Sequence, residues 1–301
     1  MKTVFKVVGG LLATLVIVVC VVLVAGNVMA SRKMQRIVEV AVTPLAKADD
    51  EAAKALGKYL FSSRGCSECH GANGAGKVMI DAPDGMFVKT PNITSAAGSA
   101  TAKYQDADWI KAIRHGVKPD GRPLMIMPSE DYARMSDPDL AALVAYVRGL
   151  PETNGSAAEV RLPLIVKTLY GLGAIEDAAQ KIDHSLPVAQ PIAVGPTAEY
   201  GKYVANMCAG CHGPQFSGGK IPGGPPHWPA AANLTPGAGS AMPRYDNAEK
   251  FAAMLRTGKR PDGSAVDPAM PFESLAALNE TDVAALYAFI KTLPPVAAGN
   301  R

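Results

Sequence analysis

Two five-residue strings of identical spacing govern what this chain can fold into. Cys66-Ser67-Glu68-Cys69-His70 and Cys208-Ala209-Gly210-Cys211-His212 both read C-x-x-C-H and hold four of the five cysteines. The sequence around them repeats as well. Gly57-Lys58-Tyr59 precedes the first string and Gly201-Lys202-Tyr203 the second; Asn92-Ile93-Thr94 matches Asn233-Leu234-Thr235, with Tyr104 and Tyr245 each twelve residues after their asparagine. Arg114-His115-Gly116 and Pro119-Asp120-Gly121 pair with Arg256-Thr257-Gly258 and Pro261-Asp262-Gly263. Each unit then carries Met-Pro, at Met127-Pro128 and Met270-Pro271, and reaches the proline of a Leu-Pro stop 24 residues after that methionine. Self-similarity of this kind marks a duplication, so the fold is two copies of one small unit. A length of 301 residues agrees, at about 150 residues per domain.

The spacing has a chemical reason. Two thiols on one helical turn can each form a thioether to a haem vinyl carbon, and the histidine after the second then points at the iron. Cys66, Cys69, Cys208 and Cys211 are therefore expected to hold two haem c groups covalently, with His70 and His212 as proximal iron ligands. The competing readings are a zinc site, a redox dithiol and a structural disulfide. A zinc site built from both pairs would have to join equivalent places in duplicated units, and no strand-helix-strand pattern supports a thioredoxin-like motif.

Duplication also narrows the second axial ligand among 12 methionines. Met127 lies 57 residues after His70 and Met270 lies 58 after His212, each before a proline in a loop that follows Pro-Asp-Gly. Proline fixes its backbone and cannot continue a helix, so such a loop can hold a thioether over an open haem face. Met125 competes with Met127, but only the Met-Pro pair restores register. The expected iron ligands are His70, Met127, His212 and Met270, and no catalytic residue is expected. Soft sulfur favours ferrous iron and two strong axial ligands leave no vacant site, so such iron moves single electrons.

Residues 7–31 carry no charge and are rich in Val and Leu, where about 20 apolar residues suffice to cross the hydrocarbon core. Residues 1–31 are expected to form an N-terminal transmembrane anchor. The rival is a cleaved signal peptide, since Lys2 and Lys6 make a positive start and Val28-Met29-Ala30 could precede a cut at Ser31; signal h-regions, however, run about 7 to 15 residues. Lys2 and Lys6 at one end face Arg32, Lys33 and Arg36 at the other, so flanking charge does not orient the span. Residues 50–151 hold twelve basic and twelve acidic side chains, and residues 197–294 eight of each. Neither has the basic face that a nucleic-acid partner requires.

Each unit reads as short helices joined by long Gly- and Pro-rich loops. Helices over 51–63 and 198–207 lead into the cysteines, with Asp49 or Asp50 and Thr197 as N-caps. Pro138 opens a closing helix with Leu140, Leu143, Val144 and Val147 on one face, and Asn279 begins its equivalent with Val283, Leu286, Phe289 and Ile290. Loops of more than 20 residues sit badly in a small domain, unless a haem supplies the apolar body they wrap. Residues 152–196 form the linker, apolar enough over 160–182 to pack against one or both domains. Arg114 and Arg256 are read as propionate partners or as surface arginines at helix ends. Asn92 and Asn233 are read as propionate neighbours or as loop-closing turns. His115 is expected to be solvated, and Trp109 and Trp228 to pack in the core or at haem edges.

On these motifs the sequence resembles the diheme or multiheme class I cytochrome c subunits that accompany membrane-bound alcohol, aldehyde and sugar-acid dehydrogenases of Gram-negative bacteria. The likeness covers about residues 50–294 and includes the linker segment Arg161-Leu162-Pro163...Leu169-Tyr170. It implies an all-α fold of two tandem class I cytochrome c domains, residues 50–151 and 197–294, preceded by one transmembrane helix. It also implies haem residues Cys66, Cys69, His70 and Met127 in the first domain, and Cys208, Cys211, His212 and Met270 in the second. Many such subunits have three haem strings and a C-terminal membrane segment, whereas this chain has two strings and an N-terminal span. The expected protein is an inner-membrane electron carrier with its haem domains in the periplasm. Its expected partners are the membrane, a periplasmic dehydrogenase or other donor, and a respiratory acceptor such as a terminal oxidase. The alternatives are a diheme enzyme of peroxidase or thiosulfate-oxidising type, and a cytochrome oxidase subunit.

Overall fold

The computed structural model describes residues 1–222, 224–225 and 227–299. α1 (Lys2–Met34) is long and apolar enough to cross a membrane, and its apolar side chains are exposed along most of its length. The first half contains α2 (Glu51–Ser63), α3 (Cys66–His70), α4 (Asp106–His115), α5 (Ser129–Tyr132) and α6 (Asp137–Arg148). Between the halves lie α7 (Leu164–Gly171) and α8 (Ala178–Lys181). The second half contains α9 (Ala198–Val204), α10 (Asn206–His212), α11 (Ala248–Thr257), α12 (Phe272–Ala276) and α13 (Glu280–Ile290).

Local chemistry sets these boundaries. The helix expected over 51–63 forms, and of its two candidate caps Asp50 is the one used, accepting from the Ala53 N–H at 2.7 Å. Ser136, Thr197 and Asn279 cap α6, α9 and α13 in the same way. The helix expected over 198–207 ends at Val204, and a second helix, α10, starts at Asn206 and carries the cysteine string.

Each half is built on one close crossing, α2 on α6 and α9 on α13. A Cβ on Gly57 would lie 2.0 Å from the Ala142 carbonyl oxygen, and one on Gly201 would lie 1.9 Å from that of Ala285. Only glycine allows backbones this near, which explains why Gly-Lys-Tyr recurs before both strings. Leu60, Phe61, Leu140, Leu143 and Val147 form the first core, and Val204, Leu255, Val283, Leu286 and Phe289 part of the second.

The fold is predominantly helical, with one small sheet that hydrophobic periodicity did not reveal. β1 (Val78–Asp81) and β2 (Phe87–Lys89) form a hairpin in the loop after α3, and β3 (Glu159–Arg161) pairs antiparallel with β2. These strands are three or four residues long and mostly exposed, too short for alternation to stand out. Because β3 comes from residues 152–196, that segment is bound to the first half at this strand.

The two halves touch through reciprocal contacts. Tyr59 Oη donates to Asp282 at 2.7 Å and accepts from the Asn279 N–H; Tyr203 Oη donates to Asp139 and accepts from the Ser136 N–H. Likewise Ser274 on α12 donates its N–H to Glu68 within the first string, while Asp131 on α5 accepts from the Gly210 N–H within the second. The pairs exchange equivalent positions of the duplication, so the interface is pseudo-two-fold, an isologous contact made within one chain.

Candidate haem-binding site

Both C-x-x-C-H strings are helical, which puts their two cysteines three residues apart on one face. Gly71 and Gly213 end them at φ 74° and 80°, in the left-handed half of conformational space that glycine tolerates. The four cysteines are free of disulfides. Burial pushes the thiols of Cys66 and Cys208 up to about 12, so both are neutral, unlike the acidic thiols of dithiol oxidoreductases. Among the described residues, no three His, Cys, Asp or Glu side chains are grouped to hold a metal ion.

The two histidines are held alike. His70 Nδ1 lies 3.1 Å from the Pro91 carbonyl oxygen, and His212 Nδ1 lies 2.8 Å from that of Ala232. A carbonyl only accepts, so Nδ1 carries the proton in each ring, and Nε2 keeps its lone pair for a metal. Burial also draws the His70 pKa down, favouring the neutral imidazole that ligates. Pro91 and Ala232 immediately precede Asn92 and Asn233, so the duplicated Asn-x-Thr segments mark the positions of these acceptors.

In the first half, Cys66, His70 and Met127 line one apolar cleft together with Phe61, Ile93, Trp109 and Leu143. Counted out to its mouth, with the open solvent there, it encloses ≈ 660 Å³. Met125 is absent from its described lining. Pro128 at φ −80°, ψ 61° and Pro271 at φ −79°, ψ 74° both sit in inverse γ-turns, with the Ser129 and Phe272 N–H groups donating to the Met127 and Met270 carbonyls at 2.9 Å. The proline after each methionine thus fixes the same turn twice. In the second half, Cys208 and Met270 pack against one apolar core, beside Met207 and Leu234.

The cleft fits a haem on a further count. Trp109 Nε1 is buried with no hydrogen-bond partner among the described residues, although an indole N–H is a donor that rarely stays unsatisfied. A carboxylate of the cofactor is the kind of acceptor it lacks. Three secondary readings resolve differently. Arg114 is buried and donates to the Met135 carbonyl and to Asp137, both at 2.8 Å, so it ties α4 to α6. Asn92 and Asn233 close loops: each Oδ1 accepts from the N–H and hydroxyl of the threonine two residues on, and each amide donates across to Thr153 or Val296. His115, read as solvated, is packed against His184, Nδ1 to Nδ1 at 3.0 Å.

Residues 54–151 and 198–294 each match the cytochrome c family model, one match per half and together well over half the chain. The chain belongs to the cytochrome c family. Relatives of this cytochrome c include the fructose dehydrogenase cytochrome subunit of Gluconobacter japonicus, 27% identical over 81% of this chain and 53% of the relative. Another is the cytochrome c subunit of quinone alcohol dehydrogenase from Gluconobacter oxydans, 26% identical over 83% of this chain and 57% of the relative. The gluconate 2-dehydrogenase cytochrome c subunit of Pantoea cypripedii is 31% identical over 56% of this chain and 41% of the relative. This cytochrome c spans about half the length of the curated relatives it matches.

Proposed function

We propose that this cytochrome c is a membrane-tethered carrier of single electrons, with one covalent haem in each of its two domains. The binding residues would be Cys66, Cys69, His70 and Met127 within residues 50–151, and Cys208, Cys211, His212 and Met270 within residues 197–294. Bound haem iron supplies one-electron oxidation and reduction. The protein contributes two thiols per domain for attachment, a neutral imidazole oriented by a backbone carbonyl, and a thioether held by a Met-Pro turn. With both of these protein ligands on the iron, oxygen, peroxide and substrate would find no open site, which favours carrier over enzyme.

The observation that carries this reading is the contact between halves. α3 meets α12 and α10 meets α5, so both haem strings lie on the shared face. The Arg64 guanidinium acts on the thiols of both Cys66 and Cys208, drawing each down against burial. A single buried cation that acts on both attachment sites supports the junction as the route between centres. The names of the relatives favour a dehydrogenase as donor. With α1 as a span and the haem domains in the periplasm, the acceptor is a respiratory-chain component at the inner membrane, such as a terminal oxidase.

The test is the mature detergent-solubilised protein. Intact mass is expected to exceed the polypeptide by two haems, and the oxidised form to display the sulfur-to-iron charge-transfer band at an intensity corresponding to both. A mass increment of one haem or none, or a high-spin centre, overturns the proposal.

A further inference from the structure

The end of α1 is not free of the rest of the protein. Gly26 and Ala30, one turn apart, are its buried residues, and α7 packs on them: a Cβ on Gly171 would lie 2.0 Å from the Gly26 carbonyl oxygen, and one on Gly26 would lie 2.6 Å from Thr168 Cγ2. Small residues bring the backbones together, as between helices within a membrane. Past the end of α1, Arg36 forms a bidentate pair with buried Asp177 at 2.6 and 2.7 Å, and Tyr170 Oη donates to the same carboxylate at 2.7 Å. The Val38 N–H donates to Gly121 at 2.8 Å, and α8 packs on Gly116, so the span, the linker and the first domain form one joined body.

Beside these contacts, α7 and its C-cap Leu172 carry an apolar and uncovered stripe. Ile165, Leu169 and Leu172 fall at i, i+4 and i+7 and are 66%, 40% and 52% exposed, whereas Lys167 lies around the helix from them. The height of this face follows from α1. Its uncharged residues 7–31 measure about 37 Å at 1.5 Å per residue, against about 30 Å of hydrocarbon. Gly26 and Ala30 thus lie where the hydrocarbon gives way to headgroups, with Arg32, Lys33 and Arg36 just beyond.

We infer that α7 is a second membrane element, lying in the outer-leaflet interface with Ile165, Leu169 and Leu172 among the acyl chains. The lipid is the occupant because the face continues the lipid-exposed surface of the span against which α7 is packed. Such a helix buries its apolar side about 5–10 Å into the headgroup boundary. Together with the Arg36–Asp177 clasp it fixes the height and tilt of the first haem domain, where a lone span would leave it swinging. This rests on α1 being a span, and the experiment separates the two.

The full-length holoprotein, with Cys20→Ser to remove the remaining thiol, receives one spin label at a time in phosphatidylethanolamine/phosphatidylglycerol vesicles. The labelled positions are Val16→Cys in α1, Lys103→Cys on the exposed surface of the first domain, and Ile165→Cys, Leu169→Cys and Leu172→Cys. Collision with oxygen relative to a water-soluble nickel chelate is expected to be several-fold higher at 165, 169 and 172 than at 103, approaching the value at 16. If position 16 is lipid-exposed but 165, 169 and 172 match position 103, the inference fails alone, and the face is left for a protein partner. If position 16 itself is water-exposed, the span and the inference fall together.

Discussion

Tyr59 of the first domain donates its hydroxyl to Asp282 of the second at 2.7 Å, and Tyr203 of the second returns the same bond to Asp139 of the first. The exchange is symmetric at these positions, but Arg64, whose Nη2 lies 2.7 Å from Asp282, is replaced by Asn206 at the equivalent place of the second half. Asp282 is fully buried and also accepts from Tyr200 at 2.8 Å. The junction is held by one buried charged cluster on one side and a lighter hydrogen-bonded pair on the other.

That asymmetry sets the order of two substitutions. Asp282→Ala leaves the Arg64 guanidinium buried without its carboxylate, and removing one partner of such a pair costs about 3–5 kcal/mol. Asp139→Ala removes a half-buried acceptor from a tyrosine, a loss of about 1.5–3 kcal/mol for a hydrogen bond to a charged group. Guanidinium titrations of the holoprotein, followed by circular dichroism, should rank the two variants in that order. Equal losses would mean that Arg64 finds another partner.

Gly57→Ala and Gly201→Ala test the close crossings. On an open helix surface, alanine in place of glycine stabilises by about 0.5–1 kcal/mol. Here the added methyl would meet the carbonyls of Ala142 and Ala285 at about half of a normal contact distance, and overpacking of this kind costs about 1–3 kcal/mol or more. Both variants are therefore expected to melt lower than the parent protein. A rise in melting temperature would mean that the crossings open at little cost.

Much of this was legible in the sequence because duplication made each signal appear twice. The cysteine strings, the capped entry and exit helices and the Met-Pro turns each occupy equivalent places, so accidental features could be set aside. What stayed hidden depends on tertiary neighbours. Gly57 and Gly201 were visible as a repeat, but their role is a backbone approach that only the packed helices reveal. Arg114 carries the same charge at the surface or in the core, and only the packed helices put its Nη2 on the Met135 carbonyl and Asp137. His115 read as solvated because its partner, His184, lies 69 residues on in the linker.

His115 gives the protein a dependence on mildly acidic pH. Burial, then the neighbouring His184 and Arg114, bring its pKa from 6.5 to about 4. Between those values the unfolded chain binds the proton and the folded protein does not. Stability is therefore fully present above pH 6.5 and is lost as the pH falls toward 4. His115→Gln, which does not titrate, is expected to flatten the pH dependence of the melting temperature in that window. An unchanged slope would assign the acid sensitivity to other groups.

The proposed methionine ligands can be tested by potential. Replacing Met127 by histidine exchanges a soft thioether for a harder nitrogen and removes the preference for ferrous iron, so the potential of the first haem should fall. A drop on the order of 0.1 V or more fits the ~0.8 V over which axial ligands set haem potentials. Met270→His should lower the other centre instead, and each variant should lose about half of the charge-transfer band. Met125→His is the control, since Met125 does not line the described cleft. Its redox titration should overlay that of the parent, with two unshifted one-electron steps. A fall in potential at Met125→His but not at Met127→His would move the ligand by two residues and break the register between the two Met-Pro turns.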